Sequence, residues 1–336
     1  GNKNAELPAW LNMRHAWSAS DAKRDEGLAY PDNVIQIKNL DYKKEPDHQK
    51  WCEAVELLAS QRTMGEKTSE KYSRIFYYNE PDDASNLDSE RYASNSLFDI
   101  YYPAELDAQT SYPVIVSVHG GGWFYGDKEL YSYYCCHLAS KGFAVVNFNY
   151  RLAPQNKYPA AIEDVAYIIH YIHENAGLLH LDMEKFYMLG DSAGAQLTAN
   201  YCIIAGNAAY RNKLDFFTYD RLPKAVCLNC GAYEMDKRED NISDWYMKNE
   251  DGSYAVSEEQ RKLFLSQLEY LTKDFPPAYL MYSVNDDLRF QTIYLDERME
   301  KLGIRHVIRS FGEKHPDSGH VFHLSLIHIS EPTRHL

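Results

Sequence analysis

Short apolar stretches recur along the chain, and segments with a helical pattern separate them. The clearest apolar stretches are 113–118, 143–148, 186–189, 225–230 and 278–283. Between two of these, apolar residues recur at helical spacing within 159–175, at Ile162, Val165, Ala166, Ile169 and Ile172. Repeated strand–helix units favour a mostly parallel sheet with helices on both faces, so the pattern predicts an α/β fold.

Two segments lie outside this alternation. One covers roughly the first 60 residues, in which 47–59 has a helical pattern. The other, 232–274, is polar and aromatic, and an excursion of about forty residues between strands is too long for a simple loop. An early strand at 97–102 is predicted to pair with 74–78 across the polar loop between them.

The sequence GDSAG at 190–194 follows an apolar stretch and leads into a helix-like run. This order indicates a strand, a sharp turn and a helix, with Ser192 at the apex and Asp191 before it. Gly190 and Gly194 let the backbones pass closely, and the serine oxygen stands exposed at the edge of the sheet. The N-terminus of the following helix favours developing negative charge. We therefore predict that Ser192 is a nucleophile.

A second motif, HGGGW, follows the predicted strand 113–118. Three consecutive glycines lose much backbone entropy and pack against nothing, so a functional reason is expected. One reason is a loop whose N–H groups point at a substrate oxygen, and the alternative is a flexible turn. The motif consists of His119, Gly120, Gly121, Gly122 and Trp123.

These two motifs, with YRLAP at 150–154 between them, resemble the hormone-sensitive-lipase-like carboxylesterases of the α/β-hydrolase superfamily. The resemblance covers roughly residues 95–323. It implies an α/β-hydrolase fold, a helical cap over the active site and an oxyanion hole. By position, the donors of that hole are the N–H groups of Gly121, Gly122 and Ala193, each typically worth about 2.7–4 kcal/mol of barrier.

The resemblance also implies a catalytic acid downstream of the serine. In the family the acid follows a strand such as 278–283, in a pattern like Asp-Pro-Leu. Aligning Leu288 with that leucine makes Asp286 the acid and puts Asp287 where proline is usual. Asp287 is therefore the alternative acid.

The histidine of the implied triad follows the next predicted strand, 306–311. The family has His-Gly-Phe after this strand, and His320 occupies the matching position, with valine in place of glycine. His315, in a charged loop before a proline, and His323 are the alternatives.

Together these residues predict a serine carboxylesterase acting through an acyl-enzyme on neutral, short-acyl esters. Acetyl or feruloyl esters of plant carbohydrates are the suggested substrates. Trp123 and Phe124 are expected to limit the acyl pocket. No metal and no organic cofactor is required. The alternatives are an amidase or peptidase on the same fold, and a non-catalytic binding protein of the receptor-like kind, against which His320 argues.

The predicted organisation follows the same resemblance. Residues 1–65 and the insertion 232–275 are expected to form the cap, to meet above Ser192 and to set substrate choice. Residues 66–231 and 276–323 are expected to form the hydrolase core. Residues 324–336 match the translation of a transposon-based sequencing adapter, which indicates a gene from a metagenome, and we exclude them from functional reasoning.

Composition narrows the partners. The 336 residues carry a net charge of −14, which argues against nucleic acid and anionic membranes and favours neutral substrates. Mean hydropathy is −0.54, and no run of 18 apolar residues occurs, so no membrane span is predicted. The oligomeric state is left open, a homodimer included.

The six cysteines lack the density of a disulfide scaffold. Cys227 and Cys230 fall in the apolar stretch 225–230, where alternate strand positions face opposite sides, so we interpret them as structural thiols rather than as a metal or redox site. Free thiols suit a reducing compartment. No signal peptide is seen, so a cytoplasmic location is favoured, with secretion left open.

Overall fold

The computed structural model describes residues 7–326, except 29, 32–33, 64–73, 81–85, 104–105 and 107–108. Within these residues, nine strands form one sheet. The strands are β1 Ile35–Asp41, β2 Arg74–Tyr77, β3 Leu97–Tyr102, β4 Tyr112–Val118, β5 Ala144–Phe148, β6 Leu181–Asp191, β7 Val226–Asn229, β8 Ala278–Ser283 and β9 His306–Phe311. The helices are α1 Ala9–Arg24, α2 His48–Thr63, α3 Glu90–Ser94, α4 Lys128–Ala139, α5 Ala160–Glu174, α6 Ala193–Gly206, α7 Ala208–Arg211, α8 Asn241–Met247, α9 Glu258–Leu265, α10 Arg289–Leu302 and α11 His323–Leu326.

The strand order is β2-β1-β3-β5-β4-β6-β7-β8-β9. From β5 to β9 every neighbouring pair is parallel, and β3 runs antiparallel to both β1 and β5. The structure therefore confirms the predicted mostly parallel sheet. Because parallel strands end at the same edge, the loops after β4, β6, β7, β8 and β9 share one side of the sheet.

Burial explains why these segments take these places. All five residues of β5 are buried, as expected for a central strand covered on both faces. Helix α5 packs its apolar stripe inward, as its spacing predicted. Helix α6, which begins directly after Ser192, is buried from Ala193 to Ala205. The helix behind the predicted nucleophile is thus a core element rather than a surface one.

The early strands differ from the prediction. Strand β2 pairs in parallel with β1, and β1 lies between β2 and β3, so the expected pairing of 97–102 with 74–78 is wrong. Strand β1 escaped prediction because Gln36 and Lys38 look solvent-facing. Both are buried, and the Lys38 ammonium pairs with Glu129 at 2.6 Å.

Two segments cover the loop after β4. Helix α1 brings Trp17 to Phe124, with ring centroids 5.0 Å apart, and α8 of the insertion 232–275 brings Trp245 to the same ring at 5.0 Å. Residues 1–65 therefore hold a helix over the loop as well as a strand of the sheet. In the described part of the chain, no helix is long and apolar enough to cross a bilayer.

Candidate active site

The turn between β6 and α6 has the geometry that its sequence predicted. Ser192 has φ 55° and ψ −118°, a backbone conformation that typically costs a non-glycine residue about 1–3 kcal/mol. A Cβ on Gly190 would lie 2.2 Å from the carbonyl oxygen of Gly194, and one on Gly194 would lie 2.0 Å from that of Val118. Both glycines are therefore required by close backbone contacts.

Three side chains predicted from separate parts of the sequence meet at this turn. Nε2 of His320 lies 2.8 Å from Oγ of Ser192, and Nδ1 of the same ring lies 2.7 Å from Oδ2 of Asp286. Asp286 follows β8 and His320 follows β9, so the shared edge of the sheet brings them together. The Nδ1 contact to a carboxylate favours a proton on Nδ1, which leaves Nε2 as an acceptor for the serine proton.

Burial distinguishes Asp286 from its neighbour. Asp286 is 3% exposed, whereas Asp287 is exposed. Burial by itself raises the pKa of the Asp286 carboxyl. The hydrogen bond and charge of His320, the Leu288 N–H and the Cys230 thiol outweigh burial and hold this pKa below its usual value. Asp286 is therefore the carboxylate that can orient the imidazole.

The two rival histidines lie elsewhere. His315 is exposed in the loop after β9. His323 turns away from the serine, and its Nε2 lies 2.9 Å from Oδ1 of Asp191, which also accepts a hydrogen bond from Asn229 at 2.8 Å. Asp191 is fully buried beside Ser192, so His323 ties the start of α11 to the turn.

The HGGGW loop lies against the same turn. Gly121 has φ 120°, and a Cβ there would lie 1.9 Å from the Tyr125 carbonyl oxygen, so only glycine fits. Among the described residues, the backbone N–H groups of Gly121, Gly122 and Ala193 donate no hydrogen bond. They are therefore available to an oxygen atom placed beside Ser192.

Ser192 and His320 open onto a cavity of about 190 Å³ with a mainly apolar lining. It is lined by Trp17, Ser20, Asp21, Arg24, Gly120, Gly121, Gly122, Tyr125, Leu130, Tyr131, Ser192, His320, Val321 and Leu324. Leu324, the first residue of the segment that matches an adapter translation, is buried in this lining. The cavity has room for a short acyl or alcohol group next to the serine oxygen.

His119 supports the loop from below. The ring is 1% exposed, stacks on Tyr150 at 4.1 Å and donates from Nδ1 to the Gly120 carbonyl oxygen at 2.6 Å. Burial lowers its pKa to about 4, so the ring is neutral near pH 7. His119 therefore holds the shape of the loop and stays out of proton transfer with Ser192.

Trp123 and Phe124 require a correction, because the sequence placed them at the substrate pocket. Both are buried, at 1% and 0% exposure, and neither lines the cavity. Trp123, at φ 63°, stacks on Tyr246 and donates from Nε1 to Gln196. The strained turn directs both rings into the core beneath α1 and α8, where they anchor the loop.

Helix α1 contributes to the site in a way that no motif in the sequence indicates. Arg14 is fully buried, and its guanidinium donates to the carbonyl oxygens of Phe124 at 2.7 Å, Leu87 at 2.5 Å and Ala153 at 2.7 Å. The following part of α1 lines the cavity with Trp17, Ser20, Asp21 and Arg24. No sequence motif marks these residues, because their roles depend on contacts across more than seventy positions.

Cys230 is a second residue whose place was missed. Its Sγ, a carboxylate oxygen of Asp286 and a ring nitrogen of His320 all lie within 4.8 Å of one another. These three form the cluster of potential metal ligands found in the described residues. Its position directly after β7, beside β6 in a parallel sheet, was the signal that could have placed it at this edge.

The chain is similar to known esterases in sequence and in fold. A family model described as BD-FAE matches residues 98–291, more than half of the chain. The chain is 29% identical to Esterase LipI of Mycobacterium tuberculosis over 220 residues, which cover 61% of this chain and 65% of LipI. It is 30% identical to an acetyl esterase of Salmonella schwarzengrund over 197 residues, 53% of this chain and 57% of that protein. The chain thus spans less than two-thirds of the length of these relatives.

Among solved structures, Esterase B from Lactobacillus rhamnosis superposes with a TM-score of 0.70. The alignment covers 96% of this chain and 90% of Esterase B at 22% sequence identity. At this identity the similarity shows only that the two proteins share a fold. The shared α/β-hydrolase architecture extends over nearly the whole length of this chain.

Proposed function

The chain belongs to the BD-FAE family, among the hormone-sensitive-lipase-like members of the α/β-hydrolase superfamily, and from this premise we propose that it hydrolyses carboxylic esters. One observation carries the proposal. The Ser192 oxygen, the His320 ring and the Asp286 carboxylate form a continuous hydrogen-bonded chain that opens onto a cavity beside the backbone N–H groups of Gly121, Gly122 and Ala193.

The proposed reaction begins at Ser192. His320 accepts the Oγ proton on Nε2 while Oγ attacks the ester carbonyl carbon, and the carbonyl oxygen takes up negative charge. Asp286 holds the ring and stabilises the imidazolium. The N–H groups of Gly121, Gly122 and Ala193 donate to the new oxyanion, which is the largest single source of barrier lowering in such sites.

The intermediate then collapses. The bond from the carbonyl carbon to the alcohol oxygen breaks, and His320 returns its proton to that oxygen, so the alcohol leaves and an acyl-enzyme remains. A water molecule gives its proton to His320 and attacks the acyl carbon. The acid leaves, and Ser192 regains its proton.

The finer substrate assignment is also a proposal. The cavity volume and its apolar lining favour short acyl groups, and the similarity to an acetyl esterase agrees with acetyl esters. The net charge of −14 favours neutral esters. Acetyl or feruloyl esters of carbohydrates are the class that we propose to test first.

The test compares p-nitrophenyl acetate, p-nitrophenyl butyrate, methyl ferulate and a peptide amide as substrates. We expect hydrolysis of the acetate ester and a fall of about 10⁴-fold or more in kcat for Ser192→Ala. Ser257→Ala, at the N-terminus of α9 and away from the cavity, is the matched control and should keep its rate. Equal rates for both variants would refute the proposal.

The neighbouring carboxylates give a second matched pair. Asp286→Asn should lower kcat by about 10⁴-fold, because the amide favours the wrong imidazole tautomer. Asp287→Asn should leave kcat unchanged, since this side chain is exposed. The reverse result would reassign the acid to Asp287.

A further inference from the structure

The three ligand atoms beside the triad suggest a chemistry that hydrolysis does not use. Cys230 supplies a sulfur, Asp286 an oxygen and His320 a nitrogen, and these are the donor types that Zn²⁺ accepts. The Cys230 side chain is fully buried, whereas that of His320 is 37% exposed. A cation can therefore enter past the exposed His320 ring and reach the buried Cys230 thiol.

The backbone at Cys230 is a second, independent observation. Cys230 has φ 52°, in the left-handed region that a residue with a Cβ rarely adopts. Its N–H donates to the carbonyl oxygen of Met281 at 2.8 Å, which fixes this conformation between β7 and β8. Strained residues held by their surroundings concentrate at functional sites. Here the strain accompanies a thiol placed against the carboxylate and imidazole of the triad.

We propose that Cys230, Asp286 and His320 form an inhibitory binding site for a thiophilic divalent cation of the Zn²⁺ class. The proposal rests on the proposed function for its effect on catalysis, although cation binding itself does not. With Zn²⁺–ligand distances of roughly 2.0–2.3 Å, ligand atoms lie roughly 3.3–3.8 Å apart, so the observed limit of 4.8 Å requires only side-chain adjustments.

Coordination would block the base. The cation replaces the thiol proton, which leaves to solvent, and thiolate and carboxylate together balance its two positive charges. It also takes Nδ1 of His320, so the single proton of the neutral ring moves to Nε2. Nε2 then donates to the Ser192 oxygen and can no longer accept its proton. Occupancy by the cation and catalysis therefore exclude each other.

The first test measures the Zn²⁺ concentration that halves p-nitrophenyl acetate hydrolysis, relative to the metal-free rate of each variant. Cys230→Ser should raise this concentration by about 100-fold or more, because even outer-shell changes cost 10–100-fold in affinity. Cys52→Ser removes an exposed thiol and should leave it unchanged. Mg²⁺ should not inhibit, since thiolate sites do not favour it. EDTA should restore the rate.

The second test does not need activity. Cd²⁺ added to Ser192→Ala should produce the ultraviolet charge-transfer band of a cadmium thiolate, and the same band should be absent from Ser192→Ala with Cys230→Ala. Melting curves establish that both variants are folded. An unchanged band without Cys230, or equal Zn²⁺ inhibition of Cys230→Ser and the parent protein, overturns the proposal. Loss of esterase activity in the parent protein would overturn only the proposed function, because the band still reports the site.

Discussion

Helix α1 and the insertion 232–275 both cover the loop after β4, yet they differ in what they give to the cavity. Each packs a tryptophan on Phe124 at the same ring distance. Helix α1 also lines the cavity with four side chains, whereas the described residues of the insertion stay outside that lining. A segment can therefore pack on the loop without lining the cavity, as the insertion does. We propose that α1 both packs on the loop and shapes the cavity.

The attachment of the two segments differs as well. Helix α1 is fixed by the fully buried Arg14 and its bonds to three separate carbonyl groups. The insertion is held instead by separate, partly buried cations, among them Lys157, which donates to the Trp245 carbonyl oxygen at 3.1 Å, and Arg298, which donates to the Leu268 carbonyl oxygen at 2.8 Å. Substitutions matched between the segments can test whether this asymmetry is real.

The largest effect is expected from Arg14→Met. It removes the donors of three buried carbonyl groups, so the free energy of unfolding should fall by about 3 kcal/mol or more. The Phe124 carbonyl belongs to the loop beside the predicted oxyanion donors, so kcat should fall too. Urea unfolding and the acetate assay measure both changes. Lys157→Met is the matched control and should lower the free energy of unfolding by less than about 1 kcal/mol. An equal loss in both variants would contradict the stronger attachment of α1.

His119, in the loop after β4, should make the free energy of unfolding decrease at acid pH. Its pKa is about 4 in the folded chain, whereas in the unfolded chain it has the usual value near 6.5. The unfolded chain thus binds the proton first as pH falls, and stability decreases by about 1.4 kcal/mol per pH unit between these values.

The measurement is urea unfolding at pH 6.5 and pH 5. The parent protein should lose about 2 kcal/mol more than His119→Gln, whose amide can still donate to the Gly120 carbonyl but does not titrate. All other side chains are common to the two proteins, so their contributions to the difference cancel. If both proteins lose the same stability between these pH values, His119 binds protons equally in the folded and unfolded chains, and its pKa is not lowered by folding.

Substrate selectivity should separate Trp17 from Trp245. Trp17→Ala enlarges the cavity, so the ratio of kcat/KM for butyrate over acetate should rise by about tenfold, in the range that a pocket gains per methylene. Trp245→Ala should lower stability while the ratio changes by less than about twofold, because its ring packs on Phe124 outside the cavity. Equal shifts in the ratio would show that the insertion also contacts substrate.

The smallest effect is expected from Asp21→Asn. Oδ2 of Asp21 accepts a hydrogen bond from the Tyr125 hydroxyl at 2.7 Å, and an amide oxygen can replace it. The ion pair with Arg24 is partly exposed, so its loss should lower the free energy of unfolding by less than about 1 kcal/mol. Because Asp21 lines the cavity, KM should change by about threefold, or about 0.7 kcal/mol.

Asp240→Asn provides the comparison in the insertion. Asp240 caps the N-terminus of α8, and asparagine caps helices about equally well. KM should therefore stay constant. A change in KM for Asp240→Asn as large as that for Asp21→Asn would contradict a special role of α1 in the cavity.

The parts of the fold that could be predicted are those in which local backbone demands select residue types. The turn at Ser192 needs glycine at two close contacts, and the loop needs glycine at Gly121, so both motifs are visible in the sequence. Helix α5 was predicted because one stripe of it is apolar. In these cases the physical constraint acts over a few residues.

The features that the sequence did not predict depend on contacts with residues far away in the chain. Lys38 made β1 look like a surface segment, and only Asp99 and Glu129 explain its burial. The sequence left two aspartates for one role, and burial of Asp286 separates them. Trp123 followed the glycines and so suggested a pocket wall, but Tyr246, more than a hundred positions away, holds it in the core.

The left-handed backbone at Ser192 has an evolutionary consequence. Glycine would adopt this conformation with less strain, so Ser192→Gly should gain up to about 1 kcal/mol of stability while removing the hydroxyl. Without selection for that hydroxyl, selection for stability would favour glycine at this position. A serine retained at the corresponding position in an uncharacterised homologue is therefore a sign that selection still acts on its chemistry.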